Sequence, residues 1–107
     1  HDSYAALLST DHACLLVATD GGSVLGYLLG FSHQTFYANG PTGSVEEILV
    51  RPDVRGLGVG RALMRAFEDW AARRGCAVVA LATRRAVPFY VALGYEESAS
   101  YLRRLLP

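Results

Sequence analysis

The chain is predicted to fold as an α/β (α+β) protein on a single mixed sheet, with elements in the order β-β-β-α-β-α-β(β) and helices on both faces. Three observations predict this. Short apolar runs of strand length come first, divided by turn residues. One long stretch of helical period follows, and a continuous apolar run after it completes a strand–helix–strand unit. That unit must be a right-handed parallel crossover if both strands share a sheet. The 107 residues leave room for one small domain, 1–107, which would bury about 65% of its unfolded surface. A composition 51% hydrophobic and 19% charged is that of a folded chain and not a disordered one.

His12 to Thr19 (HACLLVAT) reads as the first strand. Asp20-Gly21-Gly22-Ser23 is a turn, because both glycines accept positive φ without steric cost. Val24 to Phe31 (VLGYLLGF) then returns antiparallel, and Gly26 and Gly30 within it signal a bulge or a close backbone approach. Ser32 to Gly43 reads as a loop, and Ser44 to Val50 (SVEEILV) as the third strand. From Val59 the period becomes helical: Val59, Leu63, Ala66, Phe67, Trp70 and Ala71 share one face, with Gly75 as the C′ stop. Cys76 to Thr83 (CAVVALAT) reads as a buried parallel strand, Val87 to Leu93 as a short helix stopped by Gly94, and Tyr95 to Leu105 as a strand or hairpin.

Ten basic residues balance ten acidic ones, so no net field draws the chain to nucleic acid or an anionic membrane. No apolar run is long enough to span a bilayer and no charged-then-apolar leader is present in these residues, so the expected location is cytoplasmic. Cys14 and Cys76 form no CxxC and stand apart from His1, His12 and His33, so no metal site is expected and both thiols are read as reduced and buried.

The segment Arg55-Gly56-Leu57-Gly58-Val59-Gly60-Arg61 lies between a strand and a helix. A Walker loop needs GK[ST], and Gly60 is followed by Arg61-Ala62. A GxGxxG dinucleotide fingerprint fails from either Gly56 or Gly58. What remains is a glycine turn and a helix N-terminus, which present unpaired N–H groups and a positive dipole end to an anion. Alternate glycines are an expensive way to build a merely stable turn, since each loses conformational entropy on folding.

Val50, Pro52, Arg55, Gly56, Gly58, Val59, Gly60 and Leu63 fit V-x-P-x-x-R-G-x-G-V-G-x-x-L, which resembles the acyl-CoA-binding motif of the GNAT-type N-acetyltransferase superfamily. Ala86 to Tyr95 (A-V-P-F-Y-x-x-L-G-Y) resembles that superfamily's second signature, at the family's spacing. The resemblance implies a GNAT-like sheet that splays beside Val50, with acetyl-CoA as acyl donor and no metal. Backbone groups of Ile48, Leu49 and Val50 would bond the pantetheine like an added strand. Amides from Arg55 through Gly56, Leu57, Gly58, Val59, Gly60 and Arg61 would hold the diphosphate, and the Ile48 N–H would be the oxyanion donor. Thr83 stands where many members carry a pantetheine-contacting Asn. Family members begin with a further strand and one or two helices, of which Ser3 to Ser9 (SYAALLS) would be the tail, so the chain is expected to be N-terminally incomplete or completed by a partner, possible as a homodimer.

Acyl transfer to an amine needs the neutral amine, and an alkylamine is only about one part in a thousand deprotonated at pH 7. Glu46 and Glu47 flank the thioester position, and strand parity puts Glu46 with Ile48 and Val50 but Glu47 with Val45 and Leu49. The resemblance favours Glu46 as base, acting through water, and Tyr90 as the acid that protonates the leaving thiolate. Phe89 and Tyr95 read as packing residues and Trp70 as core. The activity implied is transfer of acetyl to a primary amine of a small molecule or peptide. The alternatives are a non-catalytic acyl-CoA-binding regulatory module and a structural domain of a larger assembly. The acceptor's identity is set outside the motifs, where His33, Phe36 and Tyr37 are candidates.

Overall fold

In the computed structural model, residues 3–9, 12–34, 40–83, 85–98 and 102–107 are described. They form one sheet in the order β1-β2-β3-β4-β5: β1 (Ser3–Ser9), β2 (Ala13–Asp20), β3 (Ser23–His33), β4 (Thr42–Val50) and β5 (Val78–Leu81). The first three pairings are antiparallel and β4–β5 is parallel, so the mixed sheet expected from the sequence is present. Gly21 and Gly22 carry φ of +58° and +91° and close the β2–β3 hairpin as read.

Helix α1 (Val59–Arg73) buries Val59, Leu63, Met64, Ala66, Phe67, Trp70 and Ala71 against Cys14, Leu16 and Ala18 of β2 and Leu25 and Leu28 of β3. Burying each such large side chain is worth about 1.5–3 kcal/mol, so this face is what fixes the helix on the sheet. Gly30 is what lets it sit close: a Cβ there would lie 2.3 Å from the Phe67 ring, which is fully buried. Phe67 stacks on Trp70 (ring centroids 5.4 Å apart), and the Arg74 guanidinium covers the Trp70 ring at 4.4 Å. Gly75, at φ +79°, ends the helix as a C′ glycine should.

Four features differ from the sequence reading. Ser3–Ser9 is a strand and not a helix tail, because a seven-residue helix is marginal alone whereas the open edge of β2 offers a ladder (Ala6↔Leu16). β5 is shorter than read and lies at the sheet's edge with Val78 exposed, so it is not a doubly covered strand. No strand follows helix α2 (Val87–Ala92) among the described residues: the N–H groups of Gly94 and Tyr95 close α2 onto Val91 and Tyr90, and residues 95–98 and 102–107 join no ladder. Finally, where helices on both faces are anticipated, α2 leans on the first turn of α1, a Cβ on Gly60 falling 3.2 Å from the Phe89 ring. The opposite face carries no helix among the described residues.

Candidate active site

The β4 and β5 strands pair from Thr42↔Val78 to Val45↔Leu81 and no further, although β4 continues along β3 as far as Val50↔Gly26. The parting coincides with a slip in the other ladder. Leu29 faces Glu47 and Gly30 faces Val45, so Glu46 is the extra residue of a β-bulge. A bulge bends its strand and inverts the side-chain phase beyond it. Val45 packs toward the α1 core before the bulge, and Ile48 and Val50 do so after it. The simple parity read from the sequence therefore fails across Glu46: Val45 joins Ile48 and Val50, while Glu47 keeps company with Leu49 and Tyr27 on the far face.

Backbone direction follows from one bond. The Arg51 N–H donates to the Leu25 carbonyl at 2.8 Å, so position 51 faces β3. By alternation Leu49 and Glu47 also turn their backbone groups to β3, and Ile48 and Val50 turn theirs toward the gap. Of the three backbone positions expected to bond a pantetheine, Leu49 is thus committed to the sheet. A cavity of about 480 Å³ occupies the gap, lined by Glu46, Glu47, Ile48, Thr83, Arg85 and Tyr90 among others.

At the end of β4 the chain makes a 3-10 turn (Pro52–Val54) and then the glycine segment. The Arg51 guanidinium grips Asp53 twice (2.7 and 3.0 Å) and donates to the Val24 carbonyl at 3.2 Å, tying the loop's entry to β3. This grip holds the Asp53 carboxyl below its ordinary pKa. Arg55 Nε donates to the Val50 carbonyl at 3.2 Å. Gly56 and Gly58 have φ of +83° and +92°, with open space where a Cβ would stand. Among the described residues, nothing accepts from the amides of Gly56, Leu57, Gly58, Val59, Gly60 or Arg61; the first helical bond runs from the Ala62 N–H to the Gly58 carbonyl. No acidic residue lies in the first turn of α1 to occupy these donors. Such a nest fits a diphosphate.

Glu46 and Glu47 are both exposed at the mouth of the gap. Tyr27, which sequence reasoning passed over, donates its hydroxyl to Glu47 Oε1 at 2.7 Å. That hydrogen bond to a carboxylate raises the Tyr27 phenol above its ordinary pKa. Only the β3–β4 register could have revealed this pair. Tyr90 is buried and lines the gap, and desolvation raises its pKa, which keeps the hydroxyl protonated. Thr83 Oγ1 accepts from the Ala86 N–H at 3.2 Å, so it shapes the entry to α2 while keeping a hydroxyl proton to donate. Tyr95 packs edge-on to Tyr90 and donates to Glu68 at 2.6 Å; Phe89 packs edge-on to Tyr90 as well. Trp70 is core, as read. His33 is exposed, and Phe36 and Tyr37 lie outside the described residues. Cys14 is a buried free thiol with its pKa raised by desolvation, and Cys76 is a half-buried one. Among the described residues no three potential ligands gather as a metal site, and no helix is long and apolar enough to cross a membrane.

Residues 1–95 match the family model of the acetyltransferase (GNAT) family. The chain belongs to this family. It is 34% identical over 82 residues to the thialysine N-epsilon-acetyltransferase of Bos taurus, covering 72% of this chain and 47% of that protein. It is 31% identical over 102 residues to the aminoglycoside N(6')-acetyltransferase type 1 of Stenotrophomonas maltophilia, covering 87% of this chain and 65% of that one. The structure of AAC(6')-Iy with the bisubstrate analogue CoA-S-monomethyl-acetylneamine superposes with a TM-score of 0.79 at 26% identity, covering 92% of this chain and 71% of that structure. The chain spans between 25% and 65% of the length of the curated relatives it matches.

Proposed function

We propose that residues 1–107 form an acyl-CoA N-acyltransferase domain that moves acetyl from acetyl-CoA to a primary amine of a small molecule or peptide, by direct attack in a ternary complex. Acetyl-CoA supplies an activated acyl group and a thiolate leaving group. The amides of Gly56 through Arg61 hold its diphosphate, with Arg55 and Arg61 adding positive charge. The Ile48 and Val50 backbone groups bond the pantetheine, and Thr83 offers it a hydroxyl. The Ile48 N–H steadies negative charge developing on the thioester oxygen. Glu46, at the bulge, takes a proton from the incoming ammonium through water, and Tyr90 delivers one to the departing sulfur. Relatives named for thialysine and aminoglycoside amines support an amine as acceptor.

One observation carries this reading: β4 and β5 separate after Val45↔Leu81, and the freed end of β4 leads through the 3-10 turn into a loop whose amides have no acceptor among the described residues. Following thiol release from acetyl-CoA across a panel of primary amines tests it. Amine-dependent release is expected. Tight binding of acetyl-CoA without release for any amine would support a regulatory acyl-CoA-binding module instead.

A further inference from the structure

Tyr90 stands in the wall between two openings. One is the gap of about 480 Å³ beside Ile48, and the other is a groove of about 1100 Å³ along the outer edge of β5, which Glu68, Tyr90 and Tyr95 line. A ring with room on both sides can swing away from the gap unless something backs it. The helix that carries it, α2, has six residues, too few to hold its own shape in water. Two aromatic neighbours supply the backing, and both rest on α1. Phe89 meets Tyr90 edge-on, ring centroids 4.9 Å apart, and lies over Gly60, where a Cβ would fall 3.2 Å from the Phe89 ring. Tyr95 meets Tyr90 edge-on at 6.0 Å and donates its N–H to the Tyr90 carbonyl at 3.0 Å. Its hydroxyl donates to Glu68 Oε2 at 2.6 Å, about two turns further along α1 than Gly60.

The Tyr95–Glu68 bond is not needed for this packing. Phenylalanine at 95 would present the same ring edge while desolvating neither a phenol nor a carboxylate. What the hydroxyl adds is direction, because a charge-assisted bond is short and geometrically demanding. Burial and the Glu68 carboxylate raise the Tyr95 pKa, so the proton that the bond needs is retained.

We propose that the Tyr95–Glu68 pair positions Tyr90, fixing its phenol against the gap for proton delivery to the departing sulfur. In that step the Tyr90 O–H bond breaks as an S–H bond forms, leaving a phenolate that water reprotonates. The proposal rests on the reading of Tyr90 as acid given above. Tyr95 and Glu68 are positioning residues and touch neither acetyl-CoA nor the amine, so their loss acts on kcat and not on ground-state binding.

The test measures kcat and KM for acetyl-CoA at saturating amine, below the melting temperature of every variant. Tyr95→Phe should lower kcat about five-fold while KM for acetyl-CoA stays within about two-fold. Glu68→Leu should match it. Glu68→Gln, whose amide oxygen still accepts from the phenol, should keep kcat within about two-fold of wild type. In the Tyr90→Phe background Tyr95→Phe should cost nothing further, since no proton is left to place. An unchanged kcat in Tyr95→Phe, an equal further loss in the Tyr90→Phe background, or a Glu68→Gln variant as impaired as Glu68→Leu would overturn the proposal alone. An unchanged kcat in Tyr90→Phe would remove the reading of Tyr90 as acid, and absence of thiol release with every amine the acyltransfer reading; the proposal falls with either.

Discussion

Replacing Gly58 separates what the glycine loop does for the fold from what it does for a ligand. Gly58 is the N-cap of α1 at φ +92°, and a Cβ placed there meets no heavy atom within 4 Å. Gly58→Ala should therefore destabilise through backbone strain alone, by about 1–3 kcal/mol. For a domain of this size that lowers Tm by about 4–8 °C for each kcal/mol. Gly58→Asp adds a negative charge in the space assigned to the diphosphate. Two unit charges about 5 Å apart repel by about 3 kcal/mol at an effective dielectric of 20 and by under about 1 kcal/mol in bulk water. An exposed loop lies between these limits, and a diphosphate presents more than one charge, so a penalty of about 2–3 kcal/mol is expected, or about 30- to 150-fold in Kd. Gly75 supplies the control. At φ +79°, also with open space at its Cβ, it closes the other end of the same helix. Gly75→Ala should lose similar stability but keep its affinity. The assay is titration calorimetry with coenzyme A, with thermal melts of each variant. If Gly58→Asp bound coenzyme A as tightly as Gly75→Ala, the loop would be a turn and not a binding site.

Gly30→Ala drives a methyl into the Phe67 ring at the centre of the core; overpacking of this kind costs about 1–3 kcal/mol, read as a fall in urea midpoint with an unchanged slope. Tyr90→Phe should lower kcat by ten-fold or more with little change in KM for acetyl-CoA, since a proton donor acts on the reacting atoms and not on ground-state binding; equal losses in both would remove its assignment as acid. The Tyr95 phenol is raised by burial and by its bond to Glu68, and Tyr90 by burial, so the folded state holds these protons more tightly than the unfolded chain. Their contribution is full below pH about 10 and is lost as pH rises beyond it. Tyr95→Phe should flatten that alkaline loss in melts taken from pH 9 to 11.

Much of the fold was legible because local rules and tertiary packing agree. The apolar positions of α1 recur at helical period and are the ones that are buried, and Gly21, Gly22 and Gly75 take the positive φ their neighbours require. The glycine loop stands out by composition, and Gly56 and Gly58 take the positive φ that its turn requires. What escaped depends on register. Parity along a regular strand assigned Glu46 and Glu47 to faces, and a single inserted residue reversed the assignment for half of β4. The Tyr27–Glu47 bond and the Arg51 grip on Val24 join residues 20 and 27 positions apart, and no local pattern marks either. The strand expected over Tyr95 to Leu105 is absent among the described residues, because alternating character says nothing about whether β5 receives a partner strand.

Whether the amides after β4 form an anion nest is tested by amide-resolved NMR, without reference to activity. On adding coenzyme A to the 15N-labelled protein, the resonances of Gly56, Leu57, Gly58, Gly60 and Arg61 should shift together, with Ile48 and Val50 following and Gly21 and Gly22 unmoved. Saturable shifts that spare the Gly56–Arg61 segment, or none at millimolar coenzyme A, would contradict the account.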